Sequence, residues 1–208
     1  MNKQAICMNL PAIGLTVLAA RAYAQHDHEG EMVVGRTGAN QLAVEFDSGE
    51  TIELAPVNGL LTGWGADEPG LMALGMDEPD EGFFTLETGV VVVFELLSAD
   101  PGFKVWSPGL ADVLDTPGDQ FILGATGFDE HPTYHIDADD PSFDPDVDEY
   151  FMTFRLLDSG ITGYAPSESL TARFAPAPEP ATVALIGVGA MVLTRQSGRR
   201  QVRKGEPC

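Results

Sequence analysis

The chain has 208 residues, 32 of them acidic and 11 basic, for a formal net charge of −21 at pH 7. A negative field of that size repels phosphate backbones and anionic headgroups, which excludes nucleic acid, anionic lipid surfaces and polyanionic substrates as partners. It favours divalent cations, basic surfaces and solubility, although a solvated acidic surface without a ligand has the same composition.

At the start, Lys3, an apolar core over 13–20 and the small residues Ala22-Tyr23-Ala24 have the three-part order of a secretory signal peptide. Residues 1–24 are therefore expected to form a signal helix that is removed, leaving Gln25 as the first mature residue. The two cysteines, Cys7 and Cys208, fall in the end segments. An exported domain between them has no disulfide and depends on its core or on a bound ion.

Residues 25–174 form one acidic domain: they hold 30 of the 32 acidic residues against Arg36, Lys104, Arg155 and Arg173, a balance of −26. Period-2 alternation dominates it. A strand is expected over 32–35. Leu42, Val44 and Phe46 alternate with Ala43, Glu45 and Asp47, and Ile52 and Leu54 continue after Asp47-Ser48-Gly49, which predicts a hairpin. Further strands are expected over 83–87, 103–106, 121–123 and 170–174. Residues 90–97 are apolar on both faces except Glu95, the pattern of a central strand. One helical turn fits 108–115, and Tyr150, Met152, Phe154 and Leu156 mark another half-buried strand.

The punctuation between these runs pairs acidic residues with Pro and Gly, as in Asp67-Glu68-Pro69-Gly70 and Asp140-Pro141. Each supplies a turn-starting carboxylate and a fixed φ, and together they suppress long helices. The expectation is an all-β fold, an antiparallel β-sandwich of jelly-roll-like or immunoglobulin-like type. Residues 175–177, rich in Pro and Ala, read as a short stiff linker.

All four histidines lie in two places. His26 and His28 flank Asp27 near the mature start, and His131 and His135 frame a segment that runs on to Asp137. Extended backbone puts His26 and His28 on one side about 7 Å apart, close enough to share one ion, whereas His131 and His135 would be about 13 Å apart unless Pro132 turns the chain. A site built from His26, His28 and one or both of His131 and His135, with Asp137 or Glu130 as oxygen ligand or in support, would suit zinc, copper or nickel.

A second cluster, Asp139, Asp140, Asp144, Asp146 and Asp148, is a candidate calcium loop. It is not an EF-hand, because Glu149 stands where that loop needs glycine and Arg155 where it needs a bidentate acid. No phosphate loop, dinucleotide fingerprint, Gly-x-Ser-x-Gly or His-Glu-x-x-His occurs, so no catalytic activity is expected. A polysaccharide hydrolase with paired carboxylates, and Trp64, Trp106 and Tyr164 as a stacking platform, is a distant third reading.

At the end come Pro178, Glu179 and Pro180, an apolar run over 181–194, and a basic tail over 195–204 that includes Arg199 and Arg200. Fourteen helical residues extend about 21 Å against a hydrocarbon core of about 30 Å, a short transmembrane helix. The following cations favour a cytoplasmic end. In their order, these three parts over 178–204 resemble the bacterial PEP-CTERM sorting signal. The resemblance implies export, recognition by an exosortase-type membrane enzyme, at least transient membrane attachment, and delivery to the cell envelope or extracellular matrix. The expected protein is an exported structural or interaction protein whose partners are the export machinery, that enzyme and matrix components. The alternative is a periplasmic or extracellular metal-binding module using zinc, copper or calcium.

Overall fold

Tyr150, Met152, Phe154 and Leu156 point inward from one strand while Phe151, Thr153 and Arg155 face out, the alternation that a pleated backbone imposes. The computed structural model that contains this strand describes residues 30–178. In that span β1 (Met32–Thr37), β2 (Leu42–Glu45), β3 (Thr51–Val57), β4 (Gly63–Ala66), β5 (Leu71–Ala73), β6 (Phe83–Phe84) and β7 (Val92–Ala99) come first. They are followed by β8 (Phe103–Trp106), β9 (Val113–Leu114), β10 (Gln120–Gly124), β11 (Asp129–Glu130), β12 (Thr133–Asp137), β13 (Tyr150–Asp158) and β14 (Leu170–Pro176). The expected single turn of helix falls at Pro108–Leu110 as a 3-10 turn. Among the described residues no helix is long and apolar enough to cross a membrane.

The fold is all-β and builds two sheets. The smaller runs β11-β5-β1-β2, with β6 also on β1, and the larger runs β10-β7-β13-β14-β3-β4-β12-β8-β9. Both sheets are mixed, which corrects the purely antiparallel expectation: β1 runs parallel to β5, and β14 runs parallel to β3. The parallel pairs arise because β5 and β14 come from distant parts of the chain rather than from tight hairpins.

Both sheets line one core. Met32, Val34, Leu42 and Leu71 of the smaller sheet join Val92, Phe94, Phe103, Tyr134, Phe154 and Phe174 of the larger. Phe94 stacks on Phe154 with centroids 4.6 Å apart and on Phe121 at 5.1 Å, and Phe174 contacts Phe103 and Tyr134. As expected from its two apolar faces, β7 is interior, between β10 and β13.

The predicted hairpin around Asp47-Ser48-Gly49 does not form. Instead β2 pairs with β1 through a turn in which Asn40 takes a φ of 57°, while β3 belongs to the other sheet. The Gly49 N–H donates to Asp47 Oδ1 at 2.9 Å, so the Asp-Ser-Gly step is a corner between sheets. The segment read as a linker is also part of the fold. Strand β14 continues through Pro176, and the Ala177 N–H still donates to the Leu54 carbonyl at 2.8 Å. Five short strands, β4, β5, β9, β11 and β12, escaped the sequence reading, and in β4 glycine takes the place of a side-chain pattern. A Cβ at Gly63 in β4 would lie 2.1 Å from the Ile136 carbonyl oxygen of β12, so the close pairing requires glycine there.

The signal helix over 1–24, His26 and His28, Glu179 and Pro180, the helix over 181–194 and the tail with Arg199 and Arg200 lie outside the described residues.

Candidate functional site

His135 sits in β12, opposite Gly65 of β4 on one side and Lys104 of β8 on the other, and is 1% exposed. The Trp106 indole donates to His135 Nδ1 at 3.4 Å, and Nε2 lies 2.9 Å from the Thr62 carbonyl oxygen. An indole only donates and a carbonyl only accepts, so His135 is a neutral imidazole with its hydrogen on Nε2 and both nitrogens engaged. It is a core histidine and has no nitrogen left for an ion. His135 therefore drops out of the candidate histidine set, and of the two only His131 could share an ion with His26 and His28.

Asp137 is occupied as well. Lys104 Nζ lies 2.7 Å from an Asp137 oxygen and 2.9 Å from an Asp140 oxygen. Burial would raise the Asp137 carboxyl, but the Lys104 ammonium and the Asp139 N–H outweigh it and hold the group below the usual carboxylate range. Asp140 is held well below that range by the Ser142 hydroxyl and amide, with Lys104 adding to the effect. Asp139 accepts from the Thr62 hydroxyl at 2.5 Å. Asp144 accepts from the Asp146 N–H at 3.0 Å, and Asp144, Asp146 and Asp148 are exposed.

The candidate calcium loop is thus a run of carboxylate-capped turns. Phe143 anchors it by stacking on Trp64 at 6.0 Å, and none of its aspartates belongs to a cluster able to hold one ion among the described residues. The aromatic residues of the sugar-platform reading are likewise engaged: Trp64 donates to the Ala177 carbonyl and Tyr164 accepts from the Glu87 N–H.

A different constellation forms around His131. In the register, Met32 of β1 is opposite Leu71 of β5, and Leu71 is opposite Glu130 of β11. One step further along this row lie Glu31, Gly70 and His131, with the glycine in the middle. Gly70 is a hollow that the two flanking side chains share: a Cβ there would be 2.6 Å from Glu31 Oε2 and 2.8 Å from His131 Nδ1.

Glu68 reaches the same hollow from the turn before β5. Its Oε2 accepts from the Gly70 N–H at 3.0 Å, and its Oε1 lies 3.5 Å from His131 Nδ1. Glu31, Glu68 and His131 each offer one ligand atom, and these atoms all lie within 4.8 Å of one another. On the far side of the ring, Nε2 faces Asp129 Oδ1 at 3.3 Å. The Asp67 carbonyl is 3.2 Å from Nδ1.

Burial alone would lower the His131 pKa, but the Asp67 carbonyl and the carboxylates of Glu68, Glu31 and Asp129 raise it above the usual imidazole value. Beneath the hollow, the fully buried Tyr134 hydroxyl donates to the Pro69 carbonyl at 3.0 Å. Burial, with Glu31 and Glu68 nearby, pushes that phenol far up, so it stays a donor. The site opens to solvent beside a cleft of about 450 Å³ lined in part by Gly30, Phe46, Glu50, Glu68 and Pro69.

The sequence singled out His131 but neither Glu31 nor Glu68. Asp67-Glu68-Pro69-Gly70 looked like turn punctuation, and only the parallel pairing of β1 with β5 brings Glu31 to it. Glu45, Glu78 and Glu81 also approach within 4.8 Å of one another, without an imidazole among them.

No family model, curated protein or solved structure matches this chain.

Proposed function

We propose that the protein is an exported, non-catalytic structural or interaction protein of the cell envelope or extracellular matrix. On this reading residues 1–24 direct export, and a PEP-CTERM-type signal over 178–204 directs sorting by an exosortase-type enzyme. The domain between them is a β-sandwich, a reading supported by two sheets that contribute to one core.

The observation that carries the sorting reading is where the β domain stops. Among the described residues Ala177 is the last tied to the sheet, through its N–H to Leu54 and its carbonyl from the Trp64 indole. The Pro-Glu-Pro motif starts at the next residue, Pro178, immediately after the last of these described bonds.

Replacing Pro178-Glu179-Pro180 with three alanines in the native host tests the proposal. The expected result is an unprocessed precursor retained in the inner membrane. Normal maturation and release of the alanine variant would overturn the sorting reading and leave a plain C-terminal anchor.

A further inference from the structure

We propose that Glu31, Glu68 and His131 form a binding site for one divalent transition-metal ion of the zinc type, with Asp129 orienting the imidazole. The proposal stands apart from the sorting reading, since it concerns the β domain alone and is tested without processing or export.

Three features of the geometry carry it. The first is the direction of the ring: Nδ1 faces the glutamate side, with Glu68 Oε1 at 3.5 Å and the Asp67 carbonyl at 3.2 Å, and Nε2 faces Asp129 at 3.3 Å, so an ion would take the place of the hydrogen that Nδ1 now directs at that carbonyl. Metal-bound imidazoles commonly donate their other N–H to a carboxylate, which fixes the tautomer and makes the ligating nitrogen more basic. His131 has that arrangement, with two carboxylates on one side and a third on the other.

The second is the absence of a side chain at Gly70. Its neighbours in the row reach over the hollow, and a methyl group would intrude on Glu31 Oε2 and His131 Nδ1 together. The third is the origin of the donors. Glu31 precedes β1, Glu68 belongs to the turn before β5, and His131 follows β11, so three segments distant in sequence converge and an ion would cross-link them.

The donor set narrows the ion. One imidazole nitrogen and two carboxylates suit zinc and its neighbours, whereas calcium and magnesium take oxygen ligands almost exclusively. The competing occupant is a proton: an imidazolium at His131 would donate to Asp129 from one nitrogen and toward Glu68 and the Asp67 carbonyl from the other.

The test is zinc chloride titrated calorimetrically at pH 7.5 into the full chain after chelator treatment, with calcium chloride as the comparison. The expected result is one zinc site, at least about tenfold tighter than any calcium binding, with a raised melting temperature. His131→Gln should weaken zinc at least about tenfold and Asp129→Asn by about 10- to 100-fold. Gly70→Ala, which keeps every ligand, should also weaken it. Asp146→Asn with Asp148→Asn, which removes exposed charge elsewhere, should leave zinc binding unchanged.

Absence of zinc binding would overturn the proposal in favour of the proton. Full binding in His131→Gln would overturn it in favour of another location, with His26 and His28 next to be replaced. Should His131→Gln fail to fold, the wild-type His131 ring resonances decide. A shift on zinc addition supports the site, and unmoved resonances reject it.

Discussion

Trp106 and His135 lie diagonally across the β8–β12 ladder, two register steps apart, and the indole N–H of the first is the hydrogen-bond donor to Nδ1 of the second. Because His135 is buried, removing that donor leaves an acceptor with no water to replace it. Trp106→Phe is expected to cost about 1–3 kcal/mol in urea denaturation. A loss under about 0.5 kcal/mol would show that the indole bond is not holding the ring. Nitrogen NMR of the imidazole should find hydrogen on Nε2.

Phe94 lies at the centre of the aromatic stack formed with Phe121 and Phe154, and it is fully buried. Phe94→Ala should destabilise the domain by about 3–5 kcal/mol, through lost burial and the cavity left behind. Ile161, 91% exposed, provides the contrast: Ile161→Ala should change stability by no more than about 0.5 kcal/mol. Denaturant midpoints for the two variants check both values, and comparable losses would mean that the core has been misassigned.

Glu95 is the one charged residue of an otherwise apolar segment of β7, and it is buried. Arg155 Nε donates to it from β13 and Gln120 Nε2 donates at 2.9 Å from β10, which together outweigh burial and depress its pKa. A depressed carboxylate pKa stabilises the fold above the unfolded value, about 4.3, and that contribution is lost as pH falls through the lower folded value. Glu95→Gln should therefore cost about 1 kcal/mol at pH 7, a modest figure because Arg155 is partly solvent-screened. The gap between variant and wild type should close as the pH is taken below about 4. A gap independent of pH would assign the loss to packing.

Lys104 is the cation shared by Asp137 and Asp140, and all three side chains are less than one-fifth exposed. Lys104→Met should cost about 1.5–3 kcal/mol by leaving two carboxylates facing each other. In that variant alone, millimolar calcium should recover part of the loss, because a cation is then missing. The wild-type melting temperature should not respond through this loop, and calcium protection there that disappears in Asp140→Asn would contradict the assignment.

What the sequence made legible was local. The alternation of Tyr150 to Leu156, the two-faced run that became β7 and the short strand Phe103–Trp106 all follow from side-chain period and burial. Pairing between distant strands has no such signature. Asp47-Ser48-Gly49 satisfies hairpin chemistry and still acts as a corner, because β2 already has β1 as its partner. Likewise the sequence left open whether a turn at Pro132 brings His131 and His135 onto one ion. Strand pairing instead sends His135 into the core and His131 to a row with Glu31, a hundred residues away in sequence. Gly70, read as turn punctuation, serves close approach between the two ligands, and Gly63 does the same under β12.

Strand β14 is interior to its sheet, bonded antiparallel to β13 and parallel to β3. Whatever is attached after Pro178 therefore pulls on a strand clamped from both sides along its length. Such a load acts in shear, across many ladder bonds at once, whereas an edge strand would peel away one bond at a time. A domain held by its C-terminal end would resist extraction mechanically, and single-molecule pulling from that end should show one high-force rupture instead of gradual unzipping.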